Sequence, residues 1–340
     1  MKHTTTWPVW IVPAAALLVL VAFTIAYEFS TRGESILIKP ENLLNILRQV
    51  SFVGIIAMGM TLVITLGGID LSVGSLVAFL GGIGILFFNR LLTGTSETAA
   101  VIAAFALIVA GGAIAGMING VLISKGRLAP FIATLGGLAA YRSLSMALVA
   151  GGEYRAEGTG LFGALGAGGI VIPGTNIAPN APSPVPLLIP WPVLIFALVA
   201  AATWLILNWT RLGRYIVAIG SNERSAIYSA IDVDRVKILT YGILGLCTGI
   251  AAMLVASRLA SISSSSSGTL YELDVIAAVV IGGTRMRGGA GTIVGTVIGV
   301  LILGVIQNML NLLQVSVYLQ GLVKGLVIIG AVLLQRSERP

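Results

Sequence analysis

Few side chains in this 340-residue chain could make or break bonds. Cys247 is its only cysteine and His3 its only histidine. An internal disulfide, a cysteine-rich metal site, a histidine-based zinc site and a Ser-His-Asp triad are all out of reach. The dipeptide Gly-Lys does not occur, so there is no P-loop to cradle ATP phosphates. No catalytic residue, metal ligand or cofactor is expected. Asp70 and Asp274 are the acids that begin apolar stretches. At such a position an aspartate ordinarily accepts hydrogen bonds from the first free N–H groups of a helix; the alternative is a relay for a coupling ion. Asn119, Thr134, Gln307, Asn308 and Asn311 are polar residues on otherwise apolar segments. Each can hydrogen-bond between helices or line a path whose modest polarity lets a solute pass without being trapped.

One further stretch has the composition of a docking surface. Residues 209–236 are polar and basic, with no proline. Gly220 is expected to break the chain, after which Ser221 or Asn222 can cap a short helix, with Glu223 favourable in its first turn. Ala226, Ile227 and Ala230 give that helix a small apolar side. A short amphipathic helix at a membrane surface can be a mechanical coupling element or a plain solvated loop.

The elements that position these residues follow from composition. Hydrophobic residues make up 57% of the chain and charged ones only 10%, against about 25% charged in a soluble domain. A soluble fold could not cover so much apolar surface, so lipid is the solvent for most of the chain and membrane lipid a standing partner. The net charge of +7 suits basic loops facing anionic headgroups rather than nucleic acid. The expected fold is an all-α polytopic transmembrane bundle in a single domain, 1–340. Its ten segments are 8–28, 42–66, 70–88, 98–124, 129–150, 187–208, 237–260, 272–284, 289–313 and 318–335. Segment 272–284 is too short to cross alone; broken helices are tolerated at membrane depth only where protein or a water-filled cavity satisfies their backbone. The first segment lacks a convincing cleavage site and reads as an uncleaved helix. The Lys and Arg bias puts both termini in the cytoplasm, which makes 151–186 an external, proline-rich, largely irregular loop and 209–236 a cytoplasmic one. The serine run 261–267 reads as an exposed external linker. Gly112, Gly116 and Gly120, and Gly291, Gly295 and Gly299, form ladders of close helix approach, within the chain or between subunits.

Four stretches carry a resemblance. Residues 57–75, AMGMTLVITLGGIDLSVGS, resemble the signature of inner-membrane permease subunits of sugar ABC importers, the ribose/xylose/galactose group. Residues 130–142, 213–237 and 271–299 match the same group in order. The departures are Ser225, Ala230, the serine run and the charged turn at Arg285 and Arg287. The resemblance implies a bacterial inner-membrane permease and a second permease copy, with a central path between the two. It also implies a periplasmic sugar-binding protein on the outer face and an ABC ATPase subunit with two fused nucleotide-binding domains below. It assigns ATPase coupling to Gly220, Ser221, Asn222, Glu223, Arg224, Ala226, Tyr228 and Asp232. Importers of the same class for a nucleoside, amino acid or signalling furanose, and an ion-coupled secondary carrier, are the alternatives.

Overall fold

The computed structural model describes residues 10–158, 160–175, 186–316, 319–326 and 329. Among the described residues, eight helices are long and apolar enough to cross a membrane: α1 (Ile11–Arg32), α2 (Pro40–Thr65), α3 (Val73–Leu92), α4 (Glu97–Ser124), α5 (Pro130–Leu148), α7 (Trp191–Trp209), α10 (Val233–Leu259) and α12 (Ile293–Leu312). Short helices α6 (Leu161–Ala167), α8 (Arg211–Ser221), α9 (Glu223–Tyr228) and α11 (Tyr271–Ile281) lie between them. The chain is an all-α polytopic membrane protein. Segment 272–284 is the 11-residue α11, about 16 Å of helix against a hydrocarbon core of about 30 Å. Of segment 318–335, only 319–326 and 329 are described, and these are helical.

Local sequence sets the helix starts. Pro40 and Pro130 occupy the first helical positions of α2 and α5, where a missing N–H costs nothing. Ser96, Asp232 and Thr292 cap α4, α10 and α12 by accepting from Ala99 N, Arg235 N and Gly295 N. Helices α2 and α10 form the centre of the bundle, and α1 and α5 its outside.

Both three-member glycine ladders pack inside the chain. A Cβ on Gly112 or Gly116 would strike the α10 backbone at Gly245 and Tyr241, and one on Gly295 or Gly299 would strike the α11 backbone at Gly282 and Ala278. Lipid offers no hydrophobic drive between helices, so this close backbone approach holds them together.

Two expectations for the loops are corrected. The serine run is not a free linker. Ser261–Ser263 forms β4, antiparallel to β1 (Glu153–Arg155), with Tyr154 opposite Ile262. Ile262 and Ser264 are fully buried, and Ser264 N and Oγ both donate to Gly152 O. Polar composition signals a loop, but paired backbone groups make this one part of the fold. The 151–186 stretch is also more ordered than its prolines suggest, as it holds β1, α6 and β2 (Gly169–Val171). Strand β2 pairs with β3 (Leu188–Pro190), and α6 seats on α10 through Gly166 N donating to Ser257 Oγ at 2.8 Å. Pro179, Pro182 and Pro184 lie outside the described residues.

Candidate functional site

The 209–236 stretch folds into two short helices. Thr210 Oγ1 accepts from Gly213 N at 3.2 Å and starts α8. Gly213, Ile216 and Ile219 face inward, while Arg211, Arg214 and Tyr215 face out. Gly220 does not break the chain: it is the last turn of α8, and a Cβ there would strike Thr65 O at the end of α2. The break comes at Asn222, whose Oδ1 accepts from Ser225 N at 3.1 Å and caps α9. Ala226 is buried, whereas Ile227 and Tyr228 are 55% and 89% exposed. Ile231 N returns to Ala226 O across Ala230, at φ 58°. Asp232 then caps α10, and Glu223 Oε1 accepts from Lys237 Nζ at 2.7 Å, tying α9 to α10.

A second segment belongs to this surface. Gly289 N donates to Thr65 O at 2.9 Å, and Gly288 and Gly289 of the 283–291 turn lie against Gly220 and Ser221. The turn carries exposed Arg285 and Arg287. With Arg211, Arg214 and Arg224, the stretch and the turn carry five exposed arginines, beside exposed Ile227 and Tyr228. The sequence showed those two arginines only as a departure from a family pattern; their place beside α8 depends on a fold contact some seventy residues away in sequence.

Asp70 sits at the joint between α2 and α3, and it is not itself the cap. Ser72 holds the N-cap position of α3. Asp70 Oδ1 accepts from Ser72 N (2.8 Å) and Ser72 Oγ (2.6 Å), and Oδ2 accepts from Asn119 Nδ2 (3.1 Å). Tyr241 Oη donates to Ile69 O at 3.1 Å. Asp70 and Asn119 are 3% and 2% exposed. This joint meets a second interruption. Gly268, at φ 71°, lies backbone to backbone against Gly74, and Arg142 Nη1 of α5 donates to Ser264 O and Ser267 O, both at 3.0 Å. Two breaks in regular structure thus pack against each other inside the bundle, with Asn119, Tyr241 and Arg142 of neighbouring helices meeting their polar groups, as interrupted membrane helices require.

Asp274 is in the first turn of α11, not at its cap, which is Leu270. Its Oδ2 pairs with Lys324 Nζ at 2.9 Å. Both face a cavity of about 390 Å³ bordered by α2, α10, α11 and α12. Gln307 lines the same cavity, but the other polar residues do not join it. Asn308 and Asn42 exchange amide hydrogen bonds at 2.9 and 3.2 Å. Asn311 accepts from Gln320 at 3.0 Å and from Gln307 at 3.3 Å. Thr134 Oγ1 donates back to Pro130 O at 2.9 Å, and Asn119 is held by Asp70. Gln307, Asn308 and Asn311 thus share α12, whereas Asn119 and Thr134 stand apart on α4 and α5.

Comparison with known proteins decides the family. Residues 42–332 match the family described as branched-chain amino acid transport system / permease component. The chain belongs to this permease family. The permease is 42% identical over 329 residues to the ribose import permease protein RbsC of Escherichia coli (strain K12), covering 95% of this chain and 92% of the relative. It is 43% identical over 302 residues to RbsC of Bacillus subtilis (strain 168), covering 88% and 86%. To the L-arabinose ABC transporter permease protein AraH of Azospirillum brasilense it is 33% identical over 300 residues, covering 88% and 81%. No solved structure matches it. The family is one of transport permeases and not of enzymes.

Proposed function

We propose that this permease is the membrane-spanning subunit of an ATP-binding cassette importer for a ribose-like monosaccharide in a bacterial inner membrane. Its relatives' names support the cargo class. In this reading the chain crosses the membrane ten times with both termini in the cytoplasm, the eight long helices being joined by α11 and the 318–335 segment. Two copies pair around a central path. A periplasmic binding protein delivers sugar to the end bearing β1 and β4, and the fused ATPase docks at the opposite end, on α8, α9 and the 283–291 turn.

The observation that carries this is the pairing of exposed Ile227 and Tyr228 with an anchored base. Asn222, Asp232 and the Glu223–Lys237 pair fix α9 to α10, and Gly220 seats α8 on α2, so a push on α9 reaches two central helices. Gly220, Ser221, Asn222, Glu223, Arg224, Ala226, Tyr228 and Asp232 then divide into anchors and contacts. Arg224 and Tyr228 touch the ATPase; the others hold α8 and α9 in place. Asn119, Asn308 and Asn311 tie segments together through hydrogen bonds, while Thr134 bonds within its own helix. Replacing Ile227 with Asp, or Tyr228 with Ala, removes only solvent-facing contacts. Each is expected to weaken capture of the ATPase subunit by about 2 kcal/mol, roughly thirtyfold, with the permease still folded. Wild-type capture by both variants, measured by titrating ATPase onto permease in nanodiscs, would contradict the docking assignment.

A further inference from the structure

We infer that the cavity bordered by α2, α10, α11 and α12 is a monosaccharide-binding station inside each permease copy, one that a solute meets after leaving its binding protein and before the central path between the copies. The inference rests on the sugar-import reading above and adds a site to it.

Charge placement is the first argument. Ionisable side chains are expensive within a membrane bundle and face its interior or a water-filled cavity. Arg258 of α10, Asp274 of α11 and Lys324 come from three separate segments and all line this one cavity. Its volume of about 390 Å³ is in the range of sites for small ligands. The Asp274–Lys324 pair is 18% and 25% exposed by side chain, so both groups remain reachable.

Surface chemistry is the second. A monosaccharide presents hydroxyls at its edge, which donate and accept, and C–H groups on its faces. Asp274 supplies a carboxylate acceptor, Lys324 and Arg258 supply donors, and Gln307, whose Nε2 already donates to Asn311 and Gln320, supplies an acceptor. Phe52 and Tyr271 supply ring surface, with the Arg258 guanidinium 5.7 Å from the Phe52 ring centroid. The rest of the lining is largely aliphatic, with Val50, Val53, Val255, Leu259, Val300 and Leu303, so polar contacts are few. A partial set of contacts holds a sugar weakly, which a passing solute requires.

Position is the third. Arg258 is at the end of α10, the end farthest from the coupling surface, and Tyr271 begins the half-length helix α11. Gln307 lies in the second half of α12, whose start is at the coupling end. The cavity therefore sits toward the side where β1 and β4 lie, the delivery side. A helix that begins at membrane depth beside a polar cavity is the arrangement in which broken membrane helices form solute sites.

The test uses the complete importer in proteoliposomes with a ribose-loaded binding protein and radiolabelled D-ribose. Asp274→Asn combined with Lys324→Met removes both charges together, so neither is left buried alone; Gln307→Ala is made separately. Ribose taken up per ATP hydrolysed is expected to fall at least tenfold in each. Unchanged uptake in both, beside active wild type, overturns the proposal alone. A wild-type importer that takes up no ribose overturns the sugar reading beneath it. If wild-type uptake depends on anionic lipid content and the variants lose only that dependence, the cavity is a headgroup site and the proposal fails. Labelling supplies a readout that does not need transport. Cys247 is buried, so Gln307→Cys offers the one accessible thiol among the described residues. D-ribose is expected to slow its reaction with a maleimide at least threefold, and an unaltered rate overturns the proposal.

Discussion

A permease carrying Gly220→Leu is expected to lose ATP-driven uptake at least a hundredfold while still reaching the membrane. The reason is a three-way backbone junction. Thr65 O, the last carbonyl of α2, accepts Gly289 N at 2.9 Å. A Cβ on Gly220 of α8 would strike the same carbonyl and lie 2.6 Å from Gly289 N. No side chain separates the three segments. Overpacking a close contact costs about 1–3 kcal/mol, and here the obstacle is backbone that cannot rotate aside, so the cost falls at the top of that range. Leucine would lift α8 off α2 and separate the docking surface from the central helix it moves. Hydrolysis by the assembled importer should then no longer respond to loaded binding protein. Parallel assays of uptake and hydrolysis check this, and a coupled Gly220→Leu importer would show that α8 does not transmit the motion.

The second large effect is expected at Asp70. Its carboxylate takes three hydrogen bonds, from Ser72 N, Ser72 Oγ and Asn119 Nδ2, and among the described residues no cation pairs with it. Asp70→Leu leaves these donors without a partner in a dry interior. Each orphaned buried donor costs about 1–3 kcal/mol, so roughly 3 kcal/mol or more is lost even if Ser72 turns to another acceptor. Asp70→Asn keeps the shape and one amide oxygen, and should cost about half as much. The melting temperature of the detergent-solubilised permease is the measurement. The expected order is wild type, then Asn, then Leu, with Leu recovered poorly or not at all. Equal melting of Leu and wild type would mean that the α2–α3 joint is held by glycine packing and not by the carboxylate.

How much could be read beforehand depends on the range of the interaction. The α9 cap at Asn222 and the Glu223 first turn were legible because an N-cap is decided within four residues. The short eighth segment was legible because its length falls short of a bilayer. Gly220 was misread as a break because its neighbours give no sign of Thr65, which it meets only through the fold. The serine run was misread because hydroxyl-rich composition speaks for exposure, whereas burial here is imposed by β1 and by Arg142 on a distant helix. Asp274 and Lys324 show the same limit, since fifty residues separate the two halves of the pair. The cavity could not be found at all: Gln307 stood out only as a polar residue on an apolar segment, Arg258 and Tyr271 carried no such mark, and only helix packing gathers them.

The central claim, that this chain is the passive membrane half of an importer driven from another subunit, is tested most directly by ribose uptake into proteoliposomes. The permease is incorporated alone, with the ATPase, and with both ATPase and ribose-loaded binding protein, each with and without ATP and with a proton or sodium gradient. The account predicts uptake only when all three proteins and ATP are present, whatever the gradient. Gradient-driven uptake by the permease alone would contradict it and make the chain an ion-coupled carrier.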